Sequence, residues 1–513
     1  MGLIRSVVAR ILASICIAAL AACAQLPPLE GRTVSTAVTD TANTRLGQGV
    51  EELVRAHPGL TGVLPLPGGH DAFAARATLA AAADRTLDIQ YYIGHDDLSG
   101  GLLFEALRRA ADRGVRVRLL LDDANTSGMD ERLQALDAHP NIEVRLFNPF
   151  ANRGARLLDY LGDFSRVNRR MHNKSFTADS QVTVVGGRNV GDEYFAASTA
   201  STMFIDLDVL AVGEVVASVS RDFDRYWASD SAYPLDKLGP PPPTSGPLRK
   251  AYAAASTEGY LQAIAESTFV RDLMARQMAF EWAPARMISD DPAKALGRAA
   301  DSGHLWTQLM QVVPRATEEV ILVSPYFVPT ERGAAMLSDL AREGVKVRVL
   351  TNSLEATDVP VVHSGYAHWR RPLLAAGVEL HELKRAAAPP APREHRMGMG
   401  MGSSSSSSLH AKVFLTDRRR VFVGSFNFDP RSARLNTELG FVIDSPALTN
   451  ALARKITGLL PEFSYRLHLQ DGAVQWTEQR DGAQLVFDRD PHTGWLKRLG
   501  VSILSLLPLE ELL

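Results

Sequence analysis

The segment Arg113-Gly114-Val115-Arg116-Val117-Arg118-Leu119 returns later in the chain as Glu343-Gly344-Val345-Lys346-Val347-Arg348-Val349. In each copy a glycine ends a helical pattern, and a buried parallel strand follows it. Further strands are predicted before each helix, at 87–93 and 320–327, and after each copy, at 142–147 and 378–383. Strand–helix–strand units of this kind favour parallel or mixed sheets with helices on their faces. The repeat therefore predicts a duplicated α/β fold.

Each copy is followed by a set of polar residues at matched positions. Counted from the histidine, the lysine, the aspartate, the first glycine and the asparagine have the same offsets in both copies. The first set is His172, Lys174, Asp179, Gly186, Gly187 and Asn189, and the second is His410, Lys412, Asp417, Gly424, Ser425 and Asn427. One His-x-Lys pair is a weak signal, but two pairs with matched offsets in a duplicated fold predict a single catalytic site.

The spacing within each set has a chemical interpretation. On a strand, residues i and i+2 point to the same face, so each histidine can face a ligand together with its lysine. The small residues Gly187 and Ser425 would let backbone amides approach an anion, and Asn189 and Asn427 would donate to the same oxygens. Lysines, asparagines and amides suit a phosphate. Two histidines add a nucleophile and a proton donor, which phosphodiester exchange requires.

Two further carboxylates, Asp206 and Glu438, follow the motifs at comparable distances. A carboxylate that is hydrogen-bonded to an imidazole fixes its tautomer and raises its basicity. We expect Asp206 and Glu438 to orient the two histidines, each serving the histidine of the opposite half. By contrast, Asp122-Asp123 is expected to be the solvated end of a strand, and Tyr92 is expected in the core.

The doubled His-x-Lys-x4-Asp pattern with Gly-x-x-Asn downstream resembles the phospholipase D superfamily. Segments 171–176, 186–192, 409–412 and 425–432 are similar to the bacterial cardiolipin synthases. The resemblance implies a pseudo-two-fold, bilobal monomer in which each domain is a mixed sheet flanked by helices. It also implies a phosphohistidine intermediate and no metal or cofactor, with His172 as nucleophile and His410 as acid and then base. Arg188 departs from the superfamily, where an apolar residue is more usual.

This resemblance implies a phosphatidyltransferase that acts on phospholipids at a membrane surface and makes cardiolipin when phosphatidylglycerol is the acceptor. With water as acceptor, the same site would be a phospholipase D. Two further hypotheses are a nuclease of the superfamily and a non-catalytic lipid-binding protein. The formal net charge of −3 over 513 residues argues against a nucleic-acid partner. Lysines beside both histidines argue against a metal site, because an ammonium group repels a cation. The sequence identifies no accessory protein.

The N-terminus is typical of an exported lipoprotein. Arg5 and Arg10 precede a short apolar run at 11–20, which is too short to span a bilayer. Leu20-Ala21-Ala22-Cys23 resembles a bacterial lipobox, so residues 1–22 are predicted to be a signal peptide and Cys23 the acylated residue. An ordinary secretory signal that contains a cysteine would also fit these residues. We expect a membrane-anchored lipoprotein on the periplasmic side of the bacterial cell envelope.

Composition divides the rest of the chain. It predicts a polar tether at 23–60, a first domain at 61–238, a proline-rich linker at 239–247 and a second domain at 248–513. A serine-rich loop at 386–408 is either a flap over the site or a tolerated insertion. Tryptophan, leucines and basic residues from Gly494 to Leu507 predict a short helix that lies at a bilayer interface or docks on the body of the protein.

Overall fold

A computed structural model describes residues 26–197, 205–239, 254–357, 359–385, 409–480 and 482–505. The predicted signal peptide, Cys23, the serine-rich loop and the proline-rich linker apart from Gly239 lie outside these residues. Within them, the chain forms a nine-stranded and a ten-stranded mixed sheet, each with helices packed on it.

The strands are numbered in chain order. The first sheet contains β1 (Thr61–Leu66), β2 (Thr86–Tyr91), β3 (Arg116–Asp122), β4 (Ile142–Phe147), β5 (Ser175–Ala178), β6 (Val182–Gly186), β7 (Asp208–Gly213), β8 (Ala232–Pro234) and β9 (Glu281–Ala283). The second contains β10 (Ala285–Ser289), β11 (Glu319–Val323), β12 (Lys346–Asn352), β13 (Glu379–Leu383), β14 (Val413–Thr416), β15 (Arg420–Gly424), β16 (Leu439–Asp444), β17 (Ser464–Gln470), β18 (Ala473–Arg480) and β19 (Ala483–Phe487).

The helices fall into two groups. Those of the first half are α1 (Arg45–Ala56), α2 (Gly69–Ala82), α3 (Leu98–Asp112), α4 (Asp130–Asp137), α5 (Arg156–Gly162), α6 (Phe164–Val167), α7 (Asp192–Phe195), α8 (Glu214–Trp227), α9 (Ala254–Ala265) and α10 (Thr268–Met274). Those of the second half are α11 (Leu305–Val312), α12 (Thr330–Arg342), α13 (Pro360–Ala367), α14 (Arg370–Ala375), α15 (Pro430–Arg434), α16 (Pro446–Phe463) and α17 (Trp495–Leu504).

The two sheets share a six-stranded core, which confirms the predicted duplication. The spatial order β4-β3-β2-β5-β6-β7 in the first sheet recurs as β13-β12-β11-β14-β15-β16 in the second. In both cores three parallel strands are followed by three antiparallel ones. Gly114 and Gly344, which the sequence analysis placed at the ends of helices, have φ angles of +93° and +92°, where a side chain would be strained.

The two sheets also share a hydrophobic core. Val185 and Val209 of the first sheet belong to one buried cluster with Val423 and Phe441 of the second. Because the strands that carry the motifs lie at this junction, the polar residues at their ends are brought together between the lobes. The fold thus creates a single site from two repeats.

The predicted tether is a docked segment from residue 26 onward. Arg118 donates to the carbonyl of Ser35 at 2.9 Å, and Arg145 donates to that of Thr33 at 2.6 Å. Both guanidinium groups are buried, and each needs acceptors beyond the strand carboxylate, Asp88 or Glu143, with which it already pairs. The extended segment supplies these acceptors and continues into α1, which packs on the first lobe.

The boundary between the lobes also differs from the sequence prediction, which placed 248–513 in the second domain. Residues 254–283 belong to the first lobe, where Tyr260 and Phe269 join its core and β9 pairs with β1. The chain enters the second sheet only at β10. Pairing with β9 protects an edge of the first sheet, a demand that linker composition does not reveal.

The C-terminal helix α17 both docks and exposes apolar surface. Val501 is buried, and the Lys497 ammonium donates to the carbonyl of Leu354 at 2.5 Å. Its exposed large apolar residues are Trp495, Leu496, Leu499 and Ile503. Among the helices of the described residues, none is long and apolar enough to cross a bilayer.

Candidate functional site

The two predicted histidines lie in short segments at the junction of the lobes. The backbone N–H of His172 donates to the carbonyl of Thr437 at 2.8 Å, and that of His410 donates to the carbonyl of Ile205 at 2.9 Å. Each segment therefore pairs with the chain just before the carboxylate of the other repeat. This pairing fixes both histidines at one place between the sheets.

The spacing suggested that each lysine shares a strand face with its histidine, but the structure does not place the two residues on one strand. The strands begin one residue after each lysine, at Ser175 and Val413. The Lys174 ammonium donates to the carbonyl of His172 at 2.6 Å, and Lys412 donates in the same way to the carbonyl of His410. The lysine thus folds back on its own motif and stays beside the imidazole.

Each imidazole is hydrogen-bonded to the carboxylate of the other half. His172 Nδ1 lies 2.8 Å from Glu438 Oε2, and His410 Nδ1 lies 2.6 Å from Asp206 Oδ2. Both carboxylate side chains are fully buried. A proton held on Nδ1 by such a carboxylate leaves Nε2 as the nitrogen that can attack or carry a transferable proton.

The charges of both motifs act on both histidines. Burial lowers the pKa of His172 well below its ordinary value, and the positive charges of Lys174 and Lys412 lower it further. Burial and Lys412 lower the pKa of His410 to about 3. Burial also lowers the pKa of Lys174. Without an anionic ligand, the site therefore favours neutral imidazoles.

The two carboxylates differ in their ionisation. Burial raises the pKa of Glu438 to about 7. Burial acts in the same sense on Asp206, but its pKa falls below the ordinary value because His410, Lys412 and Arg188 attract its negative charge. Asp206 therefore stays ionised at neutral pH, while Glu438 titrates within the physiological range.

Gly187 and Ser425, which were predicted to bind phosphate, instead contact the two carboxylates. A Cβ on residue 187 would lie 2.2 Å from Asp206 Oδ1, so only glycine leaves room for the aspartate. Ser425 occupies the matching position in the second repeat, and its hydroxyl donates to Glu438 Oε2. In both cases the small residue allows a carboxylate, rather than a phosphate, to approach the backbone closely.

Asp179 and Asp417, which were predicted to be catalytic, lie at the far ends of β5 and β14 from the histidines. Asp179 accepts hydrogen bonds from the backbone N–H groups of 84–86 at 2.8–2.9 Å. Asp417 accepts them from 317–319 at 2.8–3.1 Å. Both residues have positive φ in a tight turn. Asp179 attaches its turn to the start of β2, and Asp417 attaches its turn to the start of β11. Each aspartate is distant from its histidine because the strand between them carries the chain away from the site.

The two asparagines are differently engaged. Asn189 Nδ2 donates to the Tyr194 hydroxyl at 3.0 Å, and its Oδ1 accepts from the backbone of Ile93 at 3.3 Å. Asn427 is buried, and its Oδ1 has no hydrogen-bond partner among the described residues. A buried amide without a partner is a group that a bound ligand can satisfy.

Two tyrosines that the sequence analysis did not assign to the site lie against the histidines. The ring of Tyr92 is 5.0 Å from that of His172, and the ring of Tyr194 is 5.1 Å from that of His410, both edge-on. The Lys174 ammonium lies 5.5 Å from the centre of the Tyr92 ring. Tyr92 therefore borders the site instead of filling the core. The sequence signal that could have assigned Tyr92 to the site was its position at the carboxyl end of a strand.

Asp122 is a second residue whose role differs from the prediction. It is fully buried, not solvated, and accepts from the backbone N–H of Met171 at 2.7 Å and from Arg170 at 3.2 Å. Asn352, at the matching end of β12, contacts the backbone of Leu409 in the same manner. The strand end holds the residue that precedes each histidine.

Asp290 supports the Glu438 side of the site. Its Oδ2 accepts from the backbone N–H of Glu438 at 2.8 Å, and its Oδ1 accepts from Lys294 at 2.8 Å. Burial raises the pKa of Asp290 to about 7. The signal for this pair was absent from the repeat pattern, because both residues precede the second copy.

A group of side chains that could bind a metal ion lies apart from the histidine pair. Among the residues that the structure describes, His95, Asp97 and Glu193 bring three potential ligand atoms within 4.8 Å of one another. They are partly exposed, and Asp97 already caps α3 through the N–H of Gly100. Capping and ion pairing account for this cluster.

Comparison with protein families identifies one family whose sequence pattern matches this chain twice. The model described as "Cardiolipin synthase, PLD-like domain" matches residues 76–227 and 309–460. These two ranges contain the two six-stranded cores and both motifs.

Curated proteins and solved structures extend this similarity. The chain is 47% identical to cardiolipin synthase C of Escherichia coli K12 over 475 residues, which covers 91% of this chain and all of that protein. It is 27% identical to cardiolipin synthase A of Pseudomonas syringae, over 73% of this chain and 63% of that one. The crystal structure of phosphatidylserine synthase from Haemophilus influenzae Rd KW20 superposes with a TM-score of 0.57 at 13% identity, over 91% and 99% of the two chains. The last likeness concerns the fold alone.

Proposed function

The chain belongs to the cardiolipin synthase family with phospholipase D-like domains, and we propose that it is a phosphatidyltransferase that makes cardiolipin from phosphatidylglycerol and a second phospholipid. The family match confirms the resemblance drawn from the two motifs. The observation that carries the proposal is the reciprocal pairing of His172 with Glu438 and of His410 with Asp206. It provides two imidazoles with defined tautomers at one buried site.

In the proposed first step, His172 Nε2 attacks the phosphorus of the donor phospholipid. A P–N bond forms, the P–O bond to the headgroup breaks, and His410 transfers its Nε2 proton to the departing alkoxide. The lowered pKa of His172 supports this role, because the attacking imidazole must be neutral. Glu438 stabilises the charge that develops on the ring.

In the proposed second step, His410 removes a proton from the acceptor hydroxyl. The alkoxide attacks phosphorus, the P–N bond breaks, and neutral His172 is restored. Lys174 and Lys412 stabilise the phosphoryl oxygens. The anionic phosphodiester raises the pKa of His410 on binding, so that it can act first as an acid although its pKa is about 3 in the free site.

The molecule that accepts the phosphatidyl group decides the product. Phosphatidylglycerol offers a primary hydroxyl and gives cardiolipin, whereas water gives phosphatidic acid. The site excludes bulk water through the burial of its carboxylates and lysines, which supports transfer over hydrolysis. Hydrolysis is the side reaction to measure.

The proposed location is the membrane surface, reached through an acylated Cys23 on the periplasmic side. The exposed apolar residues of α17 support contact with lipid, because tryptophan and leucine beside basic residues favour a bilayer interface. Labelling the protein with palmitate in wild-type and Cys23→Ala cells tests the anchor. Loss of label together with release from membranes is expected.

The decisive experiment for the activity uses the purified full chain and vesicles of phosphatidylglycerol with phosphatidylethanolamine. Cardiolipin is expected by mass spectrometry, and it should disappear in His172→Ala and His410→Ala but not in the control His468→Ala, which lies on β17. A basic quench should capture a phosphatidyl group on the peptide that contains His172. Formation of phosphatidic acid alone would assign a phospholipase instead.

A further inference from the structure

An apolar segment beside the site lies exposed to solvent. It comprises residues 156–167, which form α5 and α6 between β4 and the first motif. Leu157 is 73% exposed and Leu161 is 81% exposed. The other exposed large apolar residues of this segment are Leu158, Tyr160 and Phe164. Single exposed apolar side chains are ordinary, but five within eight positions require a function.

This segment is built on a fixed base and is not a frayed loop. The Asp159 carboxylate is buried and accepts from the backbone N–H of Asn152 at 3.0 Å. The buried Asp123 pairs with Arg153 at 3.0 Å and with Arg156 at 3.3 Å. The polar side of the segment is therefore anchored, and the leucines are held outward.

The base of the segment is connected to the nucleophile. Asp123 holds the segment, and its neighbour Asp122 holds Met171, the residue before His172. At the other end, Arg431 of the second lobe donates to Asn168 at 2.6 and 2.9 Å. One strand end thus positions both the apolar surface and the catalytic motif.

The charge around the segment suits one class of surface. Residues 151–170 contain five arginines and two aspartates, but ion pairs with Asp122, Asp123, Asp130 and Asp163 neutralise four of these arginines. Exposed apolar side chains on an ion-paired, nearly neutral base complement the hydrocarbon interior of a leaflet, and the phospholipid substrates of the proposed function lie in such a leaflet.

We propose that residues 156–167 insert their leucines and Phe164 into the leaflet that contains the substrate, and so present phospholipid headgroups to the site. The proposal rests on the proposed function, since its occupant is the substrate membrane. It differs from the acyl anchor and from α17, because it acts at the entrance to the site and not only in tethering the protein.

The test separates access to a bilayer from chemistry. The full chain with Leu157→Ser, Leu161→Ser and Phe164→Ser is compared with a control that carries Leu485→Ser and Val486→Ser, exposed residues of β19. Activity is measured on phosphatidylglycerol vesicles and on monomeric dihexanoyl-phosphatidylglycerol below its critical micelle concentration. We expect the triple variant to lose about tenfold or more on vesicles and less than about twofold on the monomeric lipid. The control should match the wild type on both.

Each outcome bears on the proposal. If the wild type turns over neither substrate, the proposed function fails and insertion is judged by binding to the same vesicles alone. Unchanged vesicle activity and binding in the triple variant would overturn the insertion. Equal loss on both substrates would also overturn it, as would a lipid-free dimer that the triple variant abolishes, because the segment would then bind a second copy of the chain.

Depth measurements give a second readout. Leu161→Trp is expected to show fluorescence quenching by vesicles with brominated acyl chains that exceeds that of the wild type, whose own tryptophans give the background. Leu485→Trp should add no such quenching. Equal quenching at the two positions would contradict a specific insertion of the segment.

Discussion

Glu438 accepts a hydrogen bond from His172 at 2.8 Å although 266 positions separate the two residues in the chain. The reverse pair, His410 and Asp206, spans 204 positions and has the same geometry at 2.6 Å. Neither repeat therefore contains a complete histidine–carboxylate pair. The duplicated fold matters chemically because only the two copies together form the site.

The unequal ionisation of the two carboxylates predicts distinct pH profiles. The pKa of Glu438 is raised to about 7, so its carboxyl group becomes neutral as pH falls through that value. A neutral carboxyl group stabilises the developing charge on His172 less, and kcat/KM, which reports the free enzyme, should decline on the acid side with a midpoint near 7. Glu438→Gln should lower kcat about 10- to 100-fold and remove this decline.

Asp206→Asn is the matched control for that profile. The pKa of Asp206 is lowered, so the group stays ionised across the working range and its removal should reduce kcat at every pH. The acid decline due to Glu438 should persist in this variant. The assignment to Glu438 is wrong if Glu438→Gln retains the decline or if Asp206→Asn abolishes it.

Gly187→Ala should impair the reaction without unfolding the protein. The added Cβ would lie 2.2 Å from Asp206 Oδ1, so the carboxylate must move away from His410. We expect kcat to fall at least about tenfold. Gly458→Ala in α16 is the control, since its added Cβ would meet no atom within 4 Å apart from its chain neighbours and the adjacent backbone of its own helix. Near-normal activity in both variants would show that Asp206 adjusts freely.

Asp122→Ala should destabilise the fold and misplace His172. The substitution leaves Arg170 buried without its carboxylate and the N–H of Met171 without its acceptor. We expect the free energy of unfolding to fall by about 3 kcal/mol in urea denaturation. The control Asp130→Ala removes a half-exposed partner of Arg153 and should cost less than about 1 kcal/mol. Similar small losses would contradict the structural role of Asp122.

The repeat made most of the core fold predictable. Strand β4 was predicted with its observed bounds, and the helices ending at Gly114 and Gly344 were recognised because glycine ends a periodic apolar pattern. The additions to each core were not predictable from the repeat. Strand β9 joins the first sheet because an edge needs covering, and that demand arises only once the sheet exists.

The candidate site shows the same division. The histidines and lysines were found because matched offsets select them, and Asp206 and Glu438 because they follow the motifs at comparable distances. The structure brings these groups together. Gly187 and Ser425 contact carboxylates in the structure, although the sequence analysis assigned them to phosphate binding. Sequence spacing could not show that a carboxylate occupies the space expected for a phosphate. Asp122 and Tyr92 were misplaced because a strand end can be solvated or buried, and only packing between the lobes decides.

Asp417→Ala distinguishes a structural aspartate from a catalytic one. Its carboxylate accepts from the N–H groups of Thr317, Glu318 and Glu319, and these hydrogen bonds lower its pKa although burial opposes them. We expect the free energy of unfolding to fall by about 1–3 kcal/mol at pH 7, while kcat changes less than about twofold.

The sign of the pH effect completes the test. A carboxyl group with a lowered pKa contributes stability above its unfolded pKa and loses it as pH falls through the folded value. The difference between the wild type and Asp417→Ala should therefore shrink in strong acid. Asp444→Ala, which removes a partly exposed partner of Arg420 at the same sheet, should cost less than about 1 kcal/mol. A large loss of kcat in a stable Asp417→Ala protein would return this residue to the catalytic machinery.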